Sequence, residues 1–148
     1  MHLAIREGHI EIVKILLQNG AKVDDTAIFL AARGGRSKIV KHLVEIGADI
    51  GKVTHEGYTS LVIASHAGHF EIVKYLVEMG ADKEKSNVEG NTPIIIAAMK
   101  GRLQIVKYLE EMGADKDKPQ FLEKFSHILS QQVASESAES SAEDMKEK

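Results

Sequence analysis

Cysteine is absent from this 148-residue chain, which excludes a disulfide framework, a thiolate metal site and a thiol nucleophile. An excess of positive charge is lacking as well. The 19 Lys and Arg stand against 22 Asp and Glu, so there is no cationic footprint of the kind that nucleic-acid binding requires. Long apolar runs are missing too: the longest, such as Ile94 to Met99, are six residues, far short of the roughly 20 that span a bilayer. No signal peptide and no N-x-S/T site is readable. The expectation is an intracellular chain, cytoplasmic or nuclear, that neither inserts into a membrane nor binds nucleic acid.

Catalytic motifs are equally scarce. The sequence has no G-x-S-x-G, no H-E-x-x-H and no glycine-rich dinucleotide fingerprint. The segment from Gly34 to Lys38 reads GGRSK, but it lacks the spacing of a phosphate loop and is better read as a turn. Seven histidines invite a metal site, with His55, His66 and His69 close in sequence. Without cysteine or a clustered carboxylate set, that combination is a weak zinc donor group, and no metal or other cofactor is expected.

What is present is unevenly distributed. From Ala134 to Lys148 the chain reads ASESAESSAEDMKEK, with five acids, two lysines and Met145 as its one large apolar residue. So little apolar surface cannot offset the entropy of ordering, and residues 134–148 are expected to form an acidic disordered tail. The remaining 133 residues balance at 17 charges of each sign, and function is expected there.

Within those residues the sequence repeats itself. GHIEIVKILLQNGAK from Gly8, GRSKIVKHLVEIGAD from Gly35, GHFEIVKYLVEMGAD from Gly68 and GRLQIVKYLEEMGAD from Gly101 align without gaps, their opening glycines spaced 27, 33 and 33 residues. Ile12, Ile39, Ile72 and Ile105 each begin an Ile-Val-Lys, followed four residues later by Leu16, Leu43, Leu76 and Leu109. That spacing makes one apolar stripe on a helix. Gly20, Gly47, Gly80 and Gly113 close the copies, where glycine accepts the left-handed conformation that ends a helix. A shorter apolar segment precedes each opening glycine and holds Ala4, Ala31, Ala64 or Ala97, small enough for two antiparallel helices to approach closely. Thr26, Thr59 and Thr92 stand at the expected N-caps, and Pro93 at a first helical position.

The unit of short helix, glycine turn, longer helix and glycine stop resembles the ankyrin repeat, most specifically in GNTPIIIAAMKGRLQIVKYLEEMGAD and HEGYTSLVIASHAGHFEIVKYLVEMGAD. The resemblance runs from Met1 to about Lys118. It implies an all-α solenoid of helix-turn-helix pairs with short β-hairpin fingers and a concave groove. The repeats are expected at about 1–25, 26–53, 54–86 and 87–118. From Pro119 to Val133 the apolar residues Phe121, Leu122, Phe125, Ile128, Leu129 and Val133 keep helical spacing, so a capping helix is expected over 119–133; insertion of that helix into a partner's groove is the sharper alternative.

Departures from the family pattern carry expectations of their own. The histidine of the family's T-P-L-H motif survives as His2, while Phe29, Val62 and Ile95 occupy its place in the other copies, so apolar packing is expected to replace a polar network. Gly20 to Thr26 spans six residues where Gly47 to Thr59 and Gly80 to Thr92 span twelve, so the first junction is too short for a finger. Copy one begins inside its first helix and should expose apolar surface. That favours a longer array, a partner at this face or a start codon assigned too far downstream; the chain is expected to be a monomer unless this incomplete repeat pairs.

By the same resemblance, positions that vary between copies contact partners while the repeated ones hold the stack. They are Arg33, His66, Met99 and Lys100 at the first-helix ends, with His55, Glu56, Tyr58, Val88, Glu89 and Asn91 on the fingers. The groove is expected to centre on Arg33, Tyr58, His66, Val88 and Met99. The plain alternative for each is a solvated surface position. The leading expectation is a non-enzymatic module that binds a partner protein. The alternatives are the targeting portion of a larger protein that carries an enzyme or channel domain, and a small competitive inhibitor of a partner enzyme.

Overall fold

The computed structural model describes residues 1–115, and the expected capping helix and acidic tail lie outside the described residues. Eight helices follow one another: α1 (His2–Glu7), α2 (Ile10–Gln18), α3 (Thr26–Arg33), α4 (Ser37–Glu45), α5 (Ser60–Ala67), α6 (Phe70–Glu78), α7 (Pro93–Met99) and α8 (Leu103–Glu111). Each short helix packs on the longer helix that follows it. Short helices α1, α3, α5 and α7 form one row and α2, α4, α6 and α8 a second, each helix contacting its counterpart in the next copy. The alignment of copies in sequence thus becomes a stack in space.

The core lies between the two rows and between neighbouring copies. Ala4, Ala31, Ala64 and Ala97 are buried on the short helices, with Phe29, Val62 and Ile95 beside the last three, so apolar packing does occupy the place of the family histidine. Ile39, Ile72 and Ile105 are 1%, 0% and 2% exposed, whereas Ile12 at the same register is 48% exposed. Each stripe is covered by the copy before it, and the first copy has no such neighbour among the described residues. Leu3 and Ile15 extend the uncovered surface. On the outer row Phe70 meets the Tyr108 ring edge-on at 5.5 Å, a cross-copy contact between α6 and α8.

Every helix pair turns in the same way. Gly68 adopts φ +84°, and the N–H of His69 bonds back to the carbonyl of Ala64 at 3.0 Å. Arg36 and Arg102 make the matching bonds to Ala31 and Ala97, so the repeated alanine supplies the carbonyl of each helix-ending motif. A further link joins copies. The side chains of Arg36, His69 and Arg102, each at the N-cap of a longer helix, reach the carbonyls of Arg6, Arg33 and His66 on the preceding copy, at 2.9, 3.0 and 3.4 Å. Those carbonyls are among the orphans of the short-helix ends.

One expectation is corrected. Thr26 is not an N-cap: the shortened junction starts α3 at Thr26 itself, and Asp24 Oδ1 accepts the Ala27 N–H at 3.1 Å and the Thr26 hydroxyl at 2.8 Å. The Asp24 carboxyl is held below the usual carboxylate range, first by the hydrogen bond from His2 and then by Thr26. His2, the survivor of the family histidine, therefore ties copy one to copy two where the finger is missing. The fingers also form no strand among the described residues. Each is a tight turn closed by one antiparallel pair: Thr54 N–H donates to the Tyr58 carbonyl and Gly57 N–H to Thr54, and Asn87 repeats this with Asn91 and Gly90.

The two remaining threonines differ. Thr59 Oγ1 accepts the Val62 N–H at 3.2 Å, while Thr92 Oγ1 is buried with no hydrogen-bond partner among the described residues. Thr59→Val is expected to lower stability by about 1 kcal/mol, and Thr92→Val to leave it unchanged or raise it, because an unpaired buried hydroxyl is destabilising. Urea unfolding of the two variants beside the parent measures the contrast.

Candidate functional site

A hollow of about 480 Å³ opens where the ends of α3 and α5 meet the 54–58 turn. Its walls are Arg33, Thr54, Glu56, Tyr58, Ile63, His66 and Ala67. The sequence places them together for a simple reason: Arg33 and His66 end successive short helices one repeat apart, and the turn precedes the second of these. Tyr58 is half-buried and packs against the core, which fixes its ring at the edge of the hollow. Ile63 gives an apolar floor, and Arg33, His66 and Glu56 offer polar groups to solvent.

The turns form a joined rim. The Val88 N–H donates to the Glu56 carbonyl at 3.1 Å, linking the tip of one turn to the next. Asn87 Oδ1 accepts from the N–H groups of Glu89 and Asn91, each at 3.0 Å, which stiffens the second turn from within.

Of the residues singled out in the sequence, Arg33, Glu56, Tyr58 and His66 are brought together around the hollow. Val88 and Met99, the other two of the five residues expected at the centre with Arg33, Tyr58 and His66, do not line it. Val88 is 75% exposed on the adjacent rim, and Met99 is exposed at the end of α7. His55 and Glu89 are exposed on the two turns, and Lys100 just beyond α7. Asn91 is 2% exposed; its N–H and amide bond to Asn87 and Glu89, so it builds the turn. Ala67 varies between copies like the residues singled out, whereas Thr54, Ile63 and Arg102 were not anticipated. The signal for Arg102 was present: His9, Arg36, His69 and Arg102 put histidine or arginine after every opening glycine.

The electrostatics of the hollow are dominated by cations. His66 is held below the ordinary imidazole range, first by its partial burial and then by the charges of Lys100, Arg102 and Arg33. The neutral form is therefore favoured near pH 7. Among the described residues no three His, Cys, Asp or Glu side chains are grouped to hold a metal ion. His69, one of the three histidines weighed for such a site, bonds through Nε2 to the Arg33 carbonyl. No described helix is long and apolar enough to cross a membrane. The arrangement offers a concavity that combines apolar wall area with a few convergent polar groups.

Two family models match the chain. One describing ankyrin repeats in three copies covers residues 28–120, and one describing ankyrin repeats in many copies covers residues 1–44. No curated protein matches it at a significant level.

Proposed function

The chain belongs to the ankyrin-repeat family, and on that premise we propose that it is a non-enzymatic binding module that grips a partner protein through the concave hollow and the rim of turns beside it. Ankyrin repeats are generally protein–protein interaction modules. The observation that carries the reading to this surface is the hollow itself. Tyr58 and Ile63, which also pack on the core, supply apolar area, and Arg33, Glu56 and His66 supply orienting polar groups, with Arg33, Tyr58 and His66 at positions that differ from copy to copy. The linked turns add a rim already fixed before binding, which lowers the ordering cost of association.

The test is steric. Ala67 lies on the wall at the end of α5 and is half-buried, so Ala67→Trp fills the hollow with an indole while leaving the apolar stripes untouched. Affinity capture with the intact chain and with this variant, read by mass spectrometry, is expected to give proteins retained by the first and lost from the second, at nearly unchanged thermal unfolding. Identical sets from both would overturn the assignment to this hollow.

A further inference from the structure

We propose that the hollow is a receptor for an acidic side chain of an extended partner segment, an Asp or Glu carboxylate seated against Arg33 and His66; this rests on the binding reading above. The first support is uncompensated charge. Arg33, Lys100 and Arg102 form no ion pair among the described residues, whereas Lys14 and Lys52 each have a carboxylate within 4.0 Å. Arg33 lies on the wall, and Lys100 and Arg102 are close enough to His66 to oppose its protonation. A carboxylate placed there gains charge-assisted hydrogen bonds from a planar guanidinium that needs no rearrangement of the stack.

The second support is the shape of the charge. Glu56 lines the same hollow and Glu89 stands on the adjacent turn. A nucleic acid or other polyanion laid across the surface would meet these carboxylates, while a single acid flanked by apolar or basic residues avoids them. Tyr58 and Ile63 then take the neighbouring apolar side chain. The chain as a whole carries a formal charge of −3, which further disfavours a polyanion.

A proton couples to this event. Arg33 from α3, Lys100 after α7 and Arg102 at the start of α8 act on His66, and Glu56 and Tyr58 from the turn line the same hollow. Partial burial first, and then three cations, disfavour the imidazolium in the free protein. A carboxylate seated within hydrogen-bond reach of the ring favours it, so His66 takes up a proton on binding and affinity rises as pH falls from about 8 to about 6.

The probe is a phage-displayed library of linear 12-residue peptides selected on the full chain, with affinities of selected peptides measured by fluorescence anisotropy. Selected peptides are expected to share an Asp or Glu whose replacement by Asn or Gln weakens binding about tenfold or more. Arg33→Gln with Lys100→Gln should remove that difference, and His66→Gln should flatten the pH dependence. Peptides that lose binding with Ala67→Trp yet tolerate the acid-to-amide change would overturn the carboxylate receptor and leave the hollow as the site. Peptides indifferent to Ala67→Trp would overturn the binding reading itself. Absence of any binder, or tighter binding of a random 20-nucleotide RNA, would overturn the proposal. So would binders that emerge only after the five acids of residues 134–148 become amides, since the chain's own terminus would then be the occupant.

Discussion

Ile72→Ala is expected to lower the free energy of unfolding by about 2–5 kcal/mol, while Ile12→Ala, the same change at the same register, costs under about 1.5 kcal/mol. Ile72 is 0% exposed in the stack, and truncating it removes apolar area and leaves a cavity between neighbouring copies. Ile12 is 48% exposed on α2, so water already reaches half of its surface and no closed cavity forms. The comparison isolates what a neighbouring copy contributes, since the two helices share the Glu-Ile-Val-Lys segment and the leucine four residues after the isoleucine. Urea denaturation followed by circular dichroism measures both. Equal losses would mean that the stripes are not covered by adjacent copies, and the stack as described would be wrong.

The second large effect lies at the turn. Gly68→Ala is expected to cost about 2 kcal/mol or more, through two additive terms. Gly68 has φ +84°, where an L residue loses about 1–2 kcal/mol. The new Cβ would also stand 2.7 Å from Arg102 Nε and 2.8 Å from its Cζ, displacing the side chain that reaches the His66 carbonyl. Gly101→Ala provides the reference, because Gly101 has φ +70° and, among the described residues, nothing within 4 Å of the added atom. Removing the obstruction should recover the difference: in the Gly68→Ala background, Arg102→Ala is expected to cost less than it does alone, giving a non-zero coupling energy in a double-mutant cycle. Strict additivity would show that the arginine simply swings aside.

How much of this was legible in the sequence depends on whether the information is local. The helix pairs were, because a buried stripe of Ile, Val and Leu four residues apart, ended by glycine, admits one local structure, and four copies say it four times. The caps were legible only in part. Thr59 and Thr92 occupy equivalent positions in sequence with near-identical backbone angles, yet only Thr59 bonds to a backbone N–H, a difference that the residue type at the cap does not encode. At the shortened first junction the helix began at Thr26 and Asp24 took over, a change set by chain length rather than composition. Arg36, His69 and Arg102 left a signal, a histidine or arginine after every opening glycine, but their targets on the preceding copy did not, because a backbone carbonyl leaves no complementary residue to recognise.

The candidate surface divides along the same line. Arg33, Tyr58 and His66 meet as the register of the copies requires. Val88 belongs to the next turn, and its N–H is committed to Glu56, so it borders the hollow from outside. Asn91 looks variable in sequence but is spent on the internal bonds of its turn. Variation between copies marks where a residue is free of the stack, and it cannot separate a side chain that meets solvent from one that shapes a loop.

Because the helix pairs touch their immediate neighbours and little else, tension applied along the stack has no shortcut across it. A molecule stretched between its two ends should yield in instalments rather than at once. A detached copy of 33 residues releases roughly 110 Å of contour and the shorter first spacing of 27 residues about 90 Å, so the extension under load should come in steps of two sizes.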